Sequence, residues 1–213
     1  MTHGPATTVR DLGEKRIIEE IIKPICGPSN VQLGIGDDAA MLAVPSGKSL
    51  VVSTDKIPED LLAIQLGLMD PFHHGRYLAT LNISDIAAMG GEPAGLLVTL
   101  ALPEDFSADY LRGFYRGVAA GCGEWNCSVI GGDLGWGSSV CMSATSLGFV
   151  DPDIVLKRSG AQIGDSVFVT GTVGAFNTAL LYFIVAKPNG LILHEMEERF
   201  LRETLAWIPM LAF

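Results

Sequence analysis

Several features that would assign a function at once are missing from this chain of 213 residues. Its four cysteines form no CxxC pair, and its four histidines stand at no spacing that would complete a zinc site. No Walker A sequence occurs, which excludes a P-loop nucleotide enzyme. No combination of serine, cysteine, histidine and aspartate suggests a nucleophilic triad. Any catalytic chemistry must therefore depend on other groups.

Positive charge is also scarce. The chain has 14 lysines and arginines against 24 aspartates and glutamates, and the formal net charge is −10. This balance argues against nucleic acid or an anionic membrane surface as a partner. An acidic protein can still bind ATP when metal ions screen the phosphates. The plainer alternative is that the charge only aids solubility.

Apolar residues, by contrast, are plentiful. They make up 48% of the chain against 18% charged residues, and the mean hydropathy is +0.36. These values indicate a globular protein whose apolar surface is partly buried between subunits or against further sequence. Residues 1–5 have neither a basic start nor an apolar stretch, so we expect a cytoplasmic protein. The uncharged stretch 166–186 reaches membrane-spanning length, but its glycine turn predicts a short strand and a buried helix instead.

Hydrophobic periodicity predicts alternating helices and strands, an α+β (α/β-like) fold with a mixed sheet and flanking helices. The run 96–102 is continuously apolar and predicts a strand buried on both faces. A boundary after residue 152 divides the chain into an N-terminal domain, 1–152, and the start of a second α/β domain, 153–213. The first predicted helix is capped by Asp11, and Pro24 ends it or disturbs its last turn. The other predicted helices are 75–89, 107–124 and 175–186. The predicted strands are 31–35, 40–44, 49–53, 96–102, 128–130, 140–150 and 166–170.

Four motifs each set an aspartate beside a glycine turn or at the end of an apolar run. Carboxylates so close to a core are costly to desolvate unless their charge is compensated. Hard cations such as Mg²⁺ take oxygen ligands and bind through a few carboxylates, water and substrate phosphates. Any one of these aspartates alone has a plain structural interpretation, as a turn former or a helix cap. The motifs are GIGDDAA (34–40), VVSTDKI (51–57), LNISDIAAMGG (81–91) and VIGGDLG (129–135).

Together with LGEKRIIEEI (12–21), LALP (100–103) and RSGAQIGDSVFVTGTVG (158–174), these motifs resemble thiamine-monophosphate kinase. That family belongs to the superfamily of aminoimidazole ribonucleotide synthetase, selenophosphate synthetase and the hydrogenase-maturation protein HypE. The resemblance runs in order from about residue 12 to residue 175. It implies an aminoimidazole ribonucleotide synthetase-like N-terminal domain that pairs into a homodimer through its sheet.

The resemblance also implies a reaction and the residues that support it. Mg²⁺ would hold ATP beside thiamine phosphate for direct transfer of the γ-phosphoryl group, which gives thiamine diphosphate and ADP. Phosphoryl transfer depends mainly on positioning and charge neutralisation, so it needs no protein nucleophile. Asp37 would lie beside the metal ligands. The implied metal ligands are Asp38, Ser53, Thr54, Asp55, Asp85 and Asp133, and the implied nucleotide contacts are Tyr115, Gly132, Asp133 and Arg158.

Two departures from the family pattern keep other functions open. The family's substrate-contacting histidine would fall near Leu62, where the sequence has no histidine. This favours a related ATP-dependent enzyme that acts on another small molecule. The DxSDG-type motif of the family's second domain does not occur before Phe213. Its absence favours a non-catalytic dimeric module that binds a nucleotide.

Overall fold

A mixed sheet of four strands forms the centre of the computed structural model, which describes residues 7–27, 31–58, 61–168 and 173–206. The strand order is β1-β4-β2-β3, so β1 and β3 are the two edges. β4 runs antiparallel to both of its neighbours, and β2 and β3 run parallel. A parallel pair needs a long crossover, and a helix provides it here. The strands are β1 (Ser49–Lys56), β2 (Glu92–Leu102), β3 (Val129–Trp136) and β4 (Cys141–Val150).

One face of this sheet is covered by two helices, α4 (Pro71–Ala88) and α5 (Ala108–Gly123), and the other face is open. Burial alternates along β4 because successive side chains of a strand point to opposite faces. The core lies between the covered face and the helices and includes Leu96, Leu100 and Phe114. The prediction that 96–102 is buried on both faces is wrong, since Thr99 points to the open side and is exposed. The predicted mixed sheet with flanking helices is confirmed.

Capping residues fix where the two sheet-covering helices begin. Ser107 accepts a hydrogen bond from the Tyr110 backbone and caps α5, as predicted. Asp70 does the same for α4, which begins at Pro71 and not at residue 75. Proline suits the first helical position because the N–H that it lacks would have no partner there.

The N-terminal helix begins earlier than the sequence suggested. Helix α1 (Val9–Ile17) is capped by Thr8, and Asp11 completes a capping box from the third helical position. A π-helical turn (Ile18–Ile22) then leads into the short helix α2 (Lys23–Cys26). Pro24 disturbs the helical hydrogen bonding but does not end the helix, which stops at Gly27 in a left-handed conformation.

Two predicted strands are absent as regular elements, and a third is longer than predicted. In segments 31–35 and 40–44 the described backbone forms a bridge between Leu33 and Met41, not a ladder. Gly131, Gly132 and Asp133 follow the predicted strand 128–130, but in the structure they lie inside β3 and pair with β2. Glycine is unfavourable in a strand unless another backbone comes close, and that is the case here.

After β4 the chain continues without regular structure to residue 168. Two helices follow among the described residues, α6 (Ala175–Leu181), which continues into a π-helical turn (Tyr182–Ala186), and α7 (Glu195–Ala206). A short helix, α3 (Leu62–Gln65), lies earlier in the chain, before α4. The helix predicted over 175–186 is confirmed, whereas α7 was not predicted. Residues 166–168 of the predicted strand are unpaired, and the rest of that strand lies outside the described residues. The boundary after residue 152 stays a prediction. Within the described residues, no helix has the length and apolar character needed to cross a membrane.

Candidate functional site

A cavity of 910 Å³ runs along β3, the edge strand that carries the fourth acidic motif. The N-terminal helical segment and the loop 34–42 form one wall of the cavity, and residues of β2, β3 and β4 form the other. A single phenol, Tyr115 of α5, completes the lining. The cavity therefore brings together two of the four acidic motifs, which are almost 100 residues apart in the sequence. Its acidic and hydroxyl-bearing lining residues are Glu14, Glu19, Asp37, Asp38, Thr99, Tyr115, Asp133 and Thr145.

The loop with the two adjacent aspartates depends on a glycine. Gly36 has φ 125°, and a Cβ added there would lie 2.9 Å from Nζ of Lys23. A side chain at this position would be strained and would push the lysine away. Lys23 thus lies against the acidic loop, and its ammonium also pairs with Glu19 at 2.8 Å. The Asp38 backbone N–H donates to Oδ1 of Asp37 at 2.9 Å, which holds the turn.

The motif on β3 also uses a glycine to bring two backbones together. Gly132 has φ 150°, and a Cβ there would lie 1.8 Å from the carbonyl oxygen of Val98. No side chain fits between the strands at this point. Asp133 follows immediately and pairs with Thr99, so its carboxylate is on the open face and exposed to the cavity. Burial raises the pKa of Tyr115, so its phenol stays protonated and keeps a hydrogen to donate.

The other two acidic motifs meet on the covered face, beside β1 at the opposite edge of the sheet. Ser53 Oγ donates to Oδ2 of Asp85 at 2.5 Å, which joins β1 to α4. The Asp55 backbone N–H donates to Oδ1 of Asn82 at 3.0 Å. Ser53, Asp55 and Asp85 are all half-buried. Asn82 and Asp85, three residues apart on α4, share one face of the helix.

The predicted ligands therefore fall into two groups. Asp55 and Gly132 are aligned across the four strands through Ala144 of β4 and Val98 of β2. Three strand spacings therefore separate the backbones of Asp55 and Gly132, which is about 14 Å. Thr54, between Ser53 and Asp55 in the chain, has its side chain on the open face, where its Oγ1 accepts from Thr145 at 3.1 Å. A metal ion bound through Asp133 at the cavity is consequently not the one that Asp55 would contact.

The donor chemistry of both groups suits Mg²⁺. Carboxylates and hydroxyls are hard oxygen ligands, and Mg²⁺ is commonly bound by only one or two carboxylates together with water and phosphate oxygens. Within the described ranges, no three acidic, histidine or cysteine side chains stand close enough to hold a metal ion by themselves. Each group can supply part of a coordination shell, which water and phosphate oxygens can complete.

Arg158 does not belong to the group at the cavity. It is exposed, follows β4 in the segment without regular structure, and is not a lining residue of the cavity. Its assignment as a nucleotide contact stays a prediction. Leu62, where the family histidine would fall, is exposed at the start of α3.

Sequence reasoning missed several residues that the structure brings to these groups. Lys15 lines the cavity and Lys23 lies against Gly36, yet neither belongs to an acidic motif. Asn82 lies within a quoted motif, but its contact with Asp55 spans 27 residues and has no local signal. Ser146 on β4 donates to the carbonyl oxygen of Asn82 at 2.9 Å. Only the alternation of β4 would have indicated that its side chain faces α4.

Comparison with known protein families agrees with this geometry. Residues 36–150 match the family model described as AIR synthase related protein, N-terminal domain. The chain belongs to this family. The matched region begins in the acidic loop and ends with β4. It contains the first acidic motif from Gly36 onward and the other three motifs in full.

Individual relatives carry a more specific name. Thiamine-monophosphate kinase of Synechococcus elongatus is 37% identical over 167 residues, which are 78% of this chain and 49% of that protein. The crystal structure of thiamine-monophosphate kinase from Stenotrophomonas maltophilia K279a superposes with a TM-score of 0.71 at 31% identity, over 87% of this chain and 58% of that one. AaThiL complexed with AMPPCP and TMP superposes with a TM-score of 0.61 at 30% identity, over 93% and 60%. The chain spans about half the length of the curated relatives it matches.

Proposed function

We propose that this chain is the nucleotide- and metal-binding part of an ATP- and Mg²⁺-dependent phosphotransferase that makes thiamine diphosphate from thiamine phosphate. The observation that carries the proposal is the cavity at β3, which unites the aspartates of two distant motifs beside Tyr115. Relatives named thiamine-monophosphate kinase support the acceptor, and the relative complexed with AMPPCP and TMP supports both ligands.

The two acidic groups receive separate roles in this proposal. Asp38 and Asp133 hold a Mg²⁺ ion that carries nucleotide phosphates at the cavity, where the exposed backbone of Gly132 contacts the nucleotide. Ser53, Asp55 and Asp85 serve a second metal position near β1, whereas the side chain of Thr54 is on the opposite face of the sheet. Arg158 and Tyr115 donate hydrogen bonds to the nucleotide. When bound, Mg²⁺ neutralises phosphate charge and aligns the phosphoryl donor with its acceptor.

The open face of the sheet suggests how two copies associate. Leu50 and Val52 of β1 are 44% and 57% exposed there, next to the half-buried Leu147 and Phe149 of β4. A contiguous apolar patch of this kind is typical of an interaction surface. We propose a homodimer through this face, acting in the cytoplasm on small molecules and not on nucleic acid or membranes.

Nucleotide binding tests the metal assignment. Isothermal titration of the chain with ATP is expected to show binding that requires Mg²⁺. Asp133→Asn keeps the shape of the side chain but removes its charge, so it weakens Mg²⁺-dependent binding by about tenfold or more. Asp55→Asn makes the same change in the second group. Asp105→Asn, at an exposed position outside both groups, is the matched control. Unchanged affinity in both test variants, with thermal midpoints like the unaltered chain, refutes the metal assignment.

A second candidate is a nucleotide-binding module without catalytic activity. The observation that favours it is that, within the part of the chain that the structure describes, no three acidic side chains stand close enough to hold a metal ion by themselves. ATP consumption with thiamine phosphate separates the two. Turnover that needs both Mg²⁺ and thiamine phosphate supports the kinase, and Mg²⁺-dependent ATP binding without turnover supports the module. Turnover on a different acceptor alone supports a related enzyme.

A further inference from the structure

Asn82 is the most deeply buried polar side chain near either acidic group, with no exposed surface. Its amide nitrogen donates to the Leu78 carbonyl oxygen at 3.0 Å and to the Asp55 carbonyl oxygen at 3.5 Å. Its amide oxygen accepts from the Asp55 N–H at 3.0 Å. A buried amide that loses such partners costs free energy, so the contacts define one position for this side chain.

These contacts tie the edge strand β1 to helix α4. Asp55 pairs with Ala144 of β4 in the sheet, and its N–H also donates to the Asn82 amide oxygen. The Asn82 amide thus offers an acceptor to the N–H and a donor to the carbonyl of the same residue. Asp55 is thereby tied to α4 through its own backbone, in addition to its place in the sheet.

The same helix face carries Asp85, one turn further along. The Ser53 hydroxyl donates to Asp85, and the Ser146 hydroxyl donates to the Asn82 carbonyl oxygen at 2.9 Å and is 3.4 Å from the Ser53 carbonyl oxygen. Asn82 therefore lies at the centre of a network that joins β1, β4 and α4. A shift of α4 by one residue would break both bonds that Ser53 and Ser146 donate to this helix.

We propose that Asn82 is a positioning residue that holds Asp55, Ser53 and Asp85 together for the second metal position. It touches no ligand itself. It fixes the register between α4 and the edge of the sheet, so that side chains from two elements converge on one point. The inference rests on the proposed function, because it assigns a purpose to the metal group defined there.

Asn82→Asp is the sharpest variant, because the two side chains have the same shape. The carboxylate can still accept from the Asp55 N–H, but it cannot donate and faces two carbonyl oxygens. Two controls accompany it. Asn177→Asp makes the same chemical change at an exposed position on α6, and Val118→Ala removes buried volume from α5 without touching the network.

Two measurements separate positioning from mere stability. The first is the Mg²⁺ concentration for half-maximal ATP binding, taken well below the thermal midpoint of each variant. We expect Asn82→Asp to raise it about tenfold, the usual effect of removing a residue that orients metal ligands. The second is hydrogen exchange at the Asp55 amide, which we expect to lose at least tenfold protection in Asn82→Asp. Val118→Ala lowers the thermal midpoint but leaves both readouts unchanged, and Asn177→Asp changes none of the three.

The outcomes distinguish this inference from the proposed function. An unaltered Mg²⁺ requirement in Asn82→Asp, in a chain that binds ATP with Mg²⁺, overturns the positioning role alone. No Mg²⁺-dependent ATP binding by the unaltered chain overturns the proposed function and this role with it. Should Asn82→Asp fail to fold, Ser146→Ala removes one bond of the same network. A rise of about threefold in the Mg²⁺ concentration for half-maximal ATP binding supports the positioning role, and no rise overturns it.

Discussion

The two faces of the sheet differ in how they treat polar side chains. On the covered face, Ser53, Asp55, Asp85 and Asn82 are half-buried or buried and hydrogen-bonded to one another. On the open face, Asp133 is exposed at the rim of a large cavity. The first arrangement is already organised by protein contacts. The second has room for a ligand to complete it. One motif, Ser53-Thr54-Asp55, contributes to both faces because a strand alternates its side chains.

The largest effect is expected beneath the covered face, where α4 and α5 meet through glycines. A Cβ at Gly117 would lie 1.9 Å from the Phe72 carbonyl oxygen, so Gly117→Ala must push the helices apart. We expect a loss of about 3 kcal/mol or more in the free energy of unfolding. Gly123→Ala, on the same helix with nothing within 4 Å, is the control and is expected to be neutral or stabilising by up to about 1 kcal/mol. Denaturant unfolding measures both, and equal values would contradict this packing.

The serine and threonine of the shared motif give a matched pair on opposite faces. Ser53→Ala removes the hydroxyl that donates to Asp85, and we expect it to cost about 1 kcal/mol in Mg²⁺-free buffer. Thr54→Val removes a hydroxyl that donates to the Ala144 carbonyl oxygen at 2.9 Å, but water can replace that contact on the exposed face. Its effect stays within about 0.5 kcal/mol. If Thr54→Val proves the costlier change by urea unfolding, the contrast between the faces is wrong.

The covered side also contains a buried histidine whose protonation opposes folding. Burial lowers the pKa of His74, Asp70 opposes this shift, and Tyr110 is hydrogen-bonded to its Nδ1. The unfolded chain, with an ordinary histidine pKa near 6.5, binds this proton more readily than the folded one. Stability is therefore lost as pH falls through about 6.5, and the loss is complete below the lowered folded-state pKa.

Comparing unfolding free energies at pH 7.5 and pH 5.5 tests this linkage. His74→Gln is expected to flatten the pH dependence between the two values, although it also lowers stability at both. His194→Gln, at an exposed position, should keep the slope of the unaltered chain. Identical slopes in all three proteins would mean that His74 makes no contribution.

The smallest effect on stability is expected on the open face. Val52→Glu places a charge on an exposed apolar position, so the unfolding free energy of the isolated chain changes by no more than about 0.5 kcal/mol. The same charge disrupts the proposed dimer, because burying an unpaired carboxylate in an interface is costly. Light scattering after gel filtration is expected to show a halved mass. Val44→Glu, equally exposed but off the sheet, keeps the mass of the unaltered chain, and a dimer that survives Val52→Glu excludes this face.

The sequence was sufficient for the elements with strong periodic signals. Helix α5 was predicted to within a residue or two because Ser107 caps it and its apolar residues recur with helical spacing. Strand β3 was largely missed because Gly131 and Gly132 are typical of turns. A glycine is needed at position 132 because the Val98 backbone comes very close there, and this contact exists only in the folded chain.

The candidate site was predicted as a set of residues but not as an arrangement. Alternation along β1 places Thr54 and Asp55 on opposite faces, but the predicted strand ends at residue 53 and leaves both residues out. The contact between Asn82 and Asp55 could not have been predicted, since it depends on how α4 lies against an edge strand. Local patterns identify polar groups near a core, whereas the packing of distant elements decides which of them meet.

The strand order has a consequence for how the chain is made. β4 lies between β1 and β2, so β1 has no neighbour until a segment about 90 residues later has left the ribosome. At ordinary rates of synthesis, about 5 to 20 residues per second, that interval lasts about 5 to 20 s. During it the nascent chain exposes the apolar side chains of β1, and chaperones have time to bind them. Once residue 150 emerges, all four strands are available and the sheet can close before translation of the remaining residues ends.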